Sequence, residues 1–165
     1  MRNAVEHTVV VGLGEIQVTS DPQAVLVCLG LGSCVGVCAY DPVAKVGGMA
    51  HIMLPSSTHH TGKSSNKHAD QGVPALMRKM IGSGASKSRL IVKIAGGSQM
   101  SLAPGMGSIF KIGENNISAV KKALAGLGIT LGHSDTGGNH GRTLRLHLDS
   151  GNIVSSSAGR ESIEL

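Results

Sequence analysis

Residues 24–40 carry no charge, and Ser33 is their only strongly polar side chain. So apolar a run must be buried, and a membrane and a folded core demand different backbones. A membrane helix needs about 20 uninterrupted apolar residues. Here Gly30, Gly32 and Gly36 break the run, and the turn signals Asp21-Pro22 and Asp41-Pro42 bracket it. The stretch therefore reads as two buried strands, 24–29 and 34–40, joined by a glycine-flexed bend. At the centre of that bend, Gly32-Ser33-Cys34 presents one thiol where the main chain turns.

The remaining elements follow from periodicity. Residues 9–13 and 46–54 read as strands, the second stopped by Pro55, and 90–95 and 129–131 as further strand segments. Four strands close together in sequence favour antiparallel or mixed pairing. Leu144, Leu146 and Leu148 alternate with Arg145, His147 and Asp149, giving one dry and one wet face. Ser150-Gly151 turns that strand into 153–157 as a hairpin. Helical spacing of Val73, Leu76, Met77, Met80 and Ile81 predicts a helix over 67–81, ended by Gly82 and Gly84. Ile117, Val120, Leu124 and Leu127 predict a second over 113–127, with Asn115 or Asn116 as cap. Polar residues 56–66 read as an exposed loop and 96–107 as a glycine-rich one. About eight strands and two main helices in 165 residues make a single α+β domain. With one Tyr, one Phe and no Trp, its core must be aliphatic.

Composition narrows the function classes. The formal charge is +5, which suits an acidic partner. Nucleic-acid binding would want clustered basic residues interleaved with stacking aromatics, and the chain offers neither. Residues 1–20 lack the apolar core of a secretory signal, so three reduced cysteines in the cytoplasm are expected. Gly30-x-Gly32 begins a phosphate-loop pattern that Val35 breaks. Neither paired C-x-x-C knuckles nor H-E-x-x-H occurs, His59-His60 reads as a solvated loop pair, and no metal or organic cofactor is expected.

A cysteine acts as its thiolate, which requires a base or cation and access. Cys34 on the bend meets the second condition, and backbone N–H groups there can converge on an oxyanion. Cys38 lies inside an apolar run and Cys28 in the preceding strand. For the base, His51 sits in GGMAHIMLP, on the strand predicted to return beside 34–40 through the Asp41-Pro42 turn. That hairpin brings residues near 34 and 51 opposite each other. The plainer alternative, a buried structural cysteine and a hydrogen-bonded core histidine, stays open on pattern alone.

The segments LGLGSCVGVCAYDP, GGMAHIMLP, NKHAD, KIAGGSQM, IGENN and DTGGNHGR together resemble the CheD family of chemoreceptor glutamine deamidases, in the family's order. The resemblance implies a layered α/β sandwich with mixed sheets. It implies hydrolysis of glutamine side chains on cytoplasmic receptor helices, in some members with methylesterase activity. Cys34 and His51 take the catalytic cysteine and histidine positions. Gly32 and Ser33 lie where the substrate and its oxyanion would bind, although Ser33 can also simply complete the bend. The third catalytic position, typically threonine, is Cys28 here: a backbone carbonyl would serve unchanged, whereas a required hydroxyl would be lost. Chemoreceptors as substrates and CheC, a phosphatase, as regulator are the implied partners, with membrane contact only through receptors. Two other readings compete: a non-catalytic module regulating CheC, and a redox sensor built on the three thiols.

Overall fold

The computed structural model describes residues 5–57, 65–100 and 111–165. In chain order the elements are β1 (His7–Val10), β2 (Ile16–Thr19), β3 (Ala24–Leu31), β4 (Val35–Asp41) and β5 (Val46–Ile52), then α1 (Ala69–Gly82) and β6 (Ile91–Gly96). They are followed by α2 (Ile112–Gly126), β7 (Leu131–Thr136), β8 (Arg142–His147), β9 (Ile153–Ser156) and β10 (Ile163–Glu164). One sheet runs β1-β3-β8-β9-β10 and the other β2-β5-β4-β6-β7. Each is mixed: β1 pairs parallel with β3 and β6 with β7, and the other neighbours are antiparallel. Among the described residues no helix is long and apolar enough to cross a membrane.

The apolar stretch is thus two strands, as its bend requires, but they do not share a sheet. β3 belongs to the first sheet and β4 to the centre of the second, so the bend carries the chain from one layer to the next. All seven residues of β4 are buried, because it is covered on both faces. Val35, Val37 and Ala39 pack with Val73, Leu76 and Met80 of α1 and Val120 and Leu124 of α2. Cys38 and Tyr40 face the other way and pack with Leu26, Cys28, Leu31, Leu144 and Leu146. The layers run sheet, sheet, helices, the α+β sandwich expected.

Glycines let a core nearly without aromatics close. A Cβ placed on Gly36 would stand 2.9 Å from Leu144 Cδ2, and one on Gly47 2.7 Å from Leu146 Cδ2. The leucines of the first sheet therefore press directly on the backbone of the second. At about 1.5–3 kcal/mol per fully buried large side chain, this contact is a principal stabiliser of the sandwich.

Several boundaries differ from the sequence reading. β2 and β10 were not expected, being only four and two residues long. The strand opening near residue 129 runs instead from Leu131 to Thr136. The first strand ends at Val10, and the chain then bends through Gly12 and Gly14 towards β5. Neither Asn115 nor Asn116 caps α2: Lys111 is the capping residue, without a side-chain bond, and Asn116 lies inside the helix, fully buried. His59-His60 and most of the two long loops lie outside the described residues.

At the far end of β4, buried Asp41 accepts backbone N–H bonds from Val43 (2.9 Å), Ala44 (3.1 Å) and Ser86 (2.8 Å), and an ion pair from Arg89 Nη2 at 2.9 Å. The Arg89 guanidinium, aided by these N–H donors, holds its carboxyl well below the ordinary carboxylate range despite burial. A depressed folded-state pKa contributes stability in full above the unfolded value near 4, and that contribution drains as pH falls below it. Asp41→Asn should therefore cost about 2 kcal/mol at pH 7, less than a fully buried pair because Arg89 is partly exposed. Denaturant unfolding of wild type and variant should show the gap narrowing by pH 3; an equal gap at both pH values would refute this assignment.

Candidate active site

The Gly32-Ser33-Cys34 bend is held by its carbonyls. Ser98 N–H donates to Gly32 O at 2.8 Å and Gly97 N–H to Cys34 O at 2.8 Å. Between them, Asn116 Nδ2 donates to Ser33 O at 2.9 Å. Gly97 and Ser98 follow β6, which pairs with β4, so ladder register delivers them to the bend. Gly96 has φ 112° and packs against the Cys34 carbonyl, where a side chain would collide. By contrast, the N–H groups of Ser33 and Cys34 meet no acceptor among the described residues. Tied carbonyls with free N–H groups give the bend the polarity that attracts negative charge.

Ser98 is itself anchored. Its hydroxyl donates to His140 O at 2.7 Å and accepts from Arg142 Nη1 at 2.6 Å. Arg142, 3 % exposed, also donates to Gly137 O at 2.7 Å and lies 3.1 Å from Asp135 Oδ2. Ser155 Oγ donates to the same carboxylate oxygen at 2.7 Å. Asp135 stands on β7 of one sheet, and Arg142 and Ser155 on β8 and β9 of the other, so this buried network pins the two layers together behind the bend.

Of the three thiols, only that of Cys34 is half-exposed; Cys28 and Cys38 are buried. Burial pushes the Cys34 thiol above its ordinary value. Cys28 is pushed up to about 12 by burial and then by a negative charge on neighbouring Cys34, and Cys38 well up by burial and then by Cys28. All three rest protonated near neutrality, and only one is within reach of solvent.

His51 stands on β5 opposite Gly36, two residues from Cys34 along β4 and on the same face. Gly36 has no side chain to stand between them. Three contacts fix the histidine. Its N–H donates to Glu15 O at 3.1 Å, its carbonyl accepts from Gly14 N at 3.0 Å, and ring Nδ1 lies 3.1 Å from Val11 O. A carbonyl can only accept, so Nδ1 carries the hydrogen and Nε2 the lone pair. Nε2 is buried and has no hydrogen-bond partner among the described residues, the Cys34 thiol included. Asn116 Nδ2 also reaches Met53 O at 2.9 Å, two residues past His51.

The CheD chemotactic sensory transduction family matches residues 53–157. A Thermotoga maritima protein named "Chemoreceptor glutamine deamidase CheD" is 46% identical over 157 residues, covering 94% of this chain and 96% of its own length. A Symbiobacterium thermophilum protein named "Probable chemoreceptor glutamine deamidase CheD" is also 46% identical over 157 residues, covering 94% and 95%. The chain belongs to the CheD family. Among solved structures, Bacillus licheniformis hypothetical protein YfiH aligns with a TM-score of 0.41 at 17% identity, covering 83% of this chain and 60% of that one.

The residues anticipated for the CheD site are brought together in part. Cys34, just before β4, borders the interlayer core that the Gly36–His51 pair also faces, and Gly32 and Ser33 lie in the bend. Cys28 stands beside Cys34 in the interlayer core, but the carbonyl that receives His51 Nδ1 belongs to Val11. Sequence reasoning missed Val11, Gly97, Ser98 and Asn116. The last three lie in KIAGGSQM and IGENN, segments that carried the CheD resemblance without an assigned role. Val11 contributes a backbone atom, which no side-chain pattern signals.

Native protein treated with iodoacetamide should take one adduct, at Cys34, with Cys28 and Cys38 reacting only after denaturation. The alkylation rate should rise with pH to a midpoint above the free-thiol value of about 8.5. Peptide mapping that finds Cys28 or Cys38 modified in folded protein would contradict the exposure assigned here.

Proposed function

We propose that the chain acts as its relatives are named, hydrolysing glutamine side chains of chemoreceptors to glutamate, with Cys34 as nucleophile and His51 as general base. One arrangement supports this above the rest. A half-exposed thiol sits on a bend with two N–H groups that meet no acceptor among the described residues, and an oriented histidine whose Nε2 is unpartnered among them lies diagonally across the neighbouring strand.

Burial disfavours a resting thiolate, so in the proposed path His51 takes the proton as the sulfur attacks, the alternative being a thiolate held as an ion pair with the imidazolium. Cys34 Sγ bonds to the glutamine Cδ while its proton passes to His51 Nε2. The carbonyl oxygen becomes an oxyanion facing the N–H groups of Ser33 and Cys34. Collapse breaks the C–N bond, and His51 returns the proton to nitrogen so that ammonia leaves. A water, deprotonated by the same Nε2, attacks the thioester; the C–S bond breaks, and Cys34 recovers its proton. Val11 O keeps the ring in one tautomer and steadies the imidazolium. Gly32 gives the bend its shape, and Ser33 contributes its N–H rather than its hydroxyl. A methyl ester would follow the same path with methanol leaving.

The Cys28 assignment narrows to a neighbour of the nucleophile. With Nδ1 held by Val11 O, no bond to the histidine depends on residue 28, and thiol or hydroxyl should serve alike. The +5 charge would speed approach to acidic helices, in a salt-dependent way. We place the reaction in the cytoplasm, where receptor helices and reduced thiols coincide, with CheC as a docking regulator.

The test is mass spectrometry of a receptor cytoplasmic fragment incubated with the protein, scoring the shift for replacement of NH2 by OH. Cys34→Ala should lower the rate by about 10⁴-fold or more and His51→Ala by about 10²–10⁴-fold, while Cys28→Thr stays within about threefold of wild type. Unimpaired deamidation by Cys34→Ala would exclude the mechanism. Wild-type binding of CheC without any deamidation would favour the non-catalytic module instead.

A further inference from the structure

Asn116 is an unusual residue to find fully buried one turn into a helix whose other buried positions, Gly113, Val120 and Leu124, carry no polar side chain. Its side-chain amide has two hydrogens and uses both: one on Ser33 O, immediately before the nucleophile, and one on Met53 O, just past the base. Its Oδ1 is buried and has no hydrogen-bond partner among the described residues. An unsatisfied buried acceptor costs about 1–3 kcal/mol, which stability alone would select against.

The two carbonyls lie just beyond the end of the β4–β5 ladder, where no strand pair joins them directly. Ser33 precedes β4, and Met53 follows β5, at the end of the ladder where strand pairing has stopped at Val35 and Ile52. Past that point no ladder pair ties the bend to the β5 exit: Cys34 lies one residue beyond the last pair, and His51 one residue inside it, opposite Gly36. We infer that Asn116 is the positioning residue of the site: one amide spans the open end of the β4–β5 hairpin and sets the distance between thiol and imidazole. It also fixes the Ser33–Cys34 peptide, hence the direction of the Cys34 N–H that the oxyanion needs. The inference rests on the Cys34–His51 reading proposed above.

Misplacement of about 1 Å costs about 10²-fold in rate, and an interaction acting on the reacting geometry lowers kcat rather than raising KM. Asn116→Ala, and Asn116→Ser as a smaller polar variant that admits water to both carbonyls, should therefore lose about 10–100-fold in kcat per folded molecule on the receptor fragment, with KM within about threefold. The acylation burst with p-nitrophenyl acetate, which needs thiol and base but no receptor, should slow by the same factor. Asn115→Ala, an exposed neighbour on the same helix, should leave both unchanged. Folded variants with kcat within threefold of wild type overturn the inference, as does a loss explained wholly by a smaller folded fraction, or failure of both variants to fold. If wild type turns over the ester but no receptor glutamine, the deamidase reading falls and the ester burst alone decides this one. A wild type inactive on both overturns the two together.

Discussion

Capture of three successive carbonyls at Gly32, Ser33 and Cys34 is the interaction on which the rest depends. A chain passing between stacked sheets must leave its ladder, and its polar groups must find partners elsewhere. Here Ser98, Asn116 and Gly97 supply the donors, from the β6 exit and from α2. The consequence is asymmetric. Satisfying only the acceptors leaves the N–H groups of Ser33 and Cys34 without an acceptor among the described residues, in the one place where a thiol is half-exposed. The crossover that the sandwich needs for topology is therefore also the place where the proposed oxyanion would find donors.

The second sheet supports this from below. β4 is buried on both faces, so its register against β5 and β6 is dictated by packing on α1 and α2 on one side and on the leucines of β3 and β8 on the other. A slip of one residue would turn Val35 and Val37 towards the first sheet and carry His51 away from Cys34's face. Gly36 and Gly47 let the leucine layer approach closely, and the Arg142–Asp135–Ser155 network keeps it there. Burial raises the Cys28 and Cys38 thiols and encloses them, which leaves Cys34 as the half-exposed sulfur without any specific activating charge.

Much of this was legible in the letters. The Asp41-Pro42 turn and the two apolar runs flanking it announce the β4–β5 hairpin, and that hairpin alone places Cys34 near His51. The alternation at Leu144, Leu146 and Leu148 announces β8 and its turn into β9. What was not legible has a common cause. A strand buried on both faces carries no wet-dry alternation, so the sequence does not say which strand lies on the other edge of β4, and β3 and β4 could not be seen to part. β2, with four residues and a mostly part-exposed face, gives too short a signal. Val11 acts through a main-chain carbonyl that every residue type possesses. Asn115 and Asn116 are the same letter, and only the phase of α2 separates an exposed side chain from one bridging two carbonyls.

A covalent intermediate is the most direct test of the claim that this bend carries the nucleophile. Wild-type protein mixed with a glutamine-containing receptor peptide, quenched in acid within the first turnover and mapped by mass spectrometry, should yield a thioester on the peptide containing Cys34, lost on treatment with hydroxylamine. Glutamine hydrolysis that proceeds at full rate with no adduct, or with the adduct on Cys28 or Cys38, would contradict it.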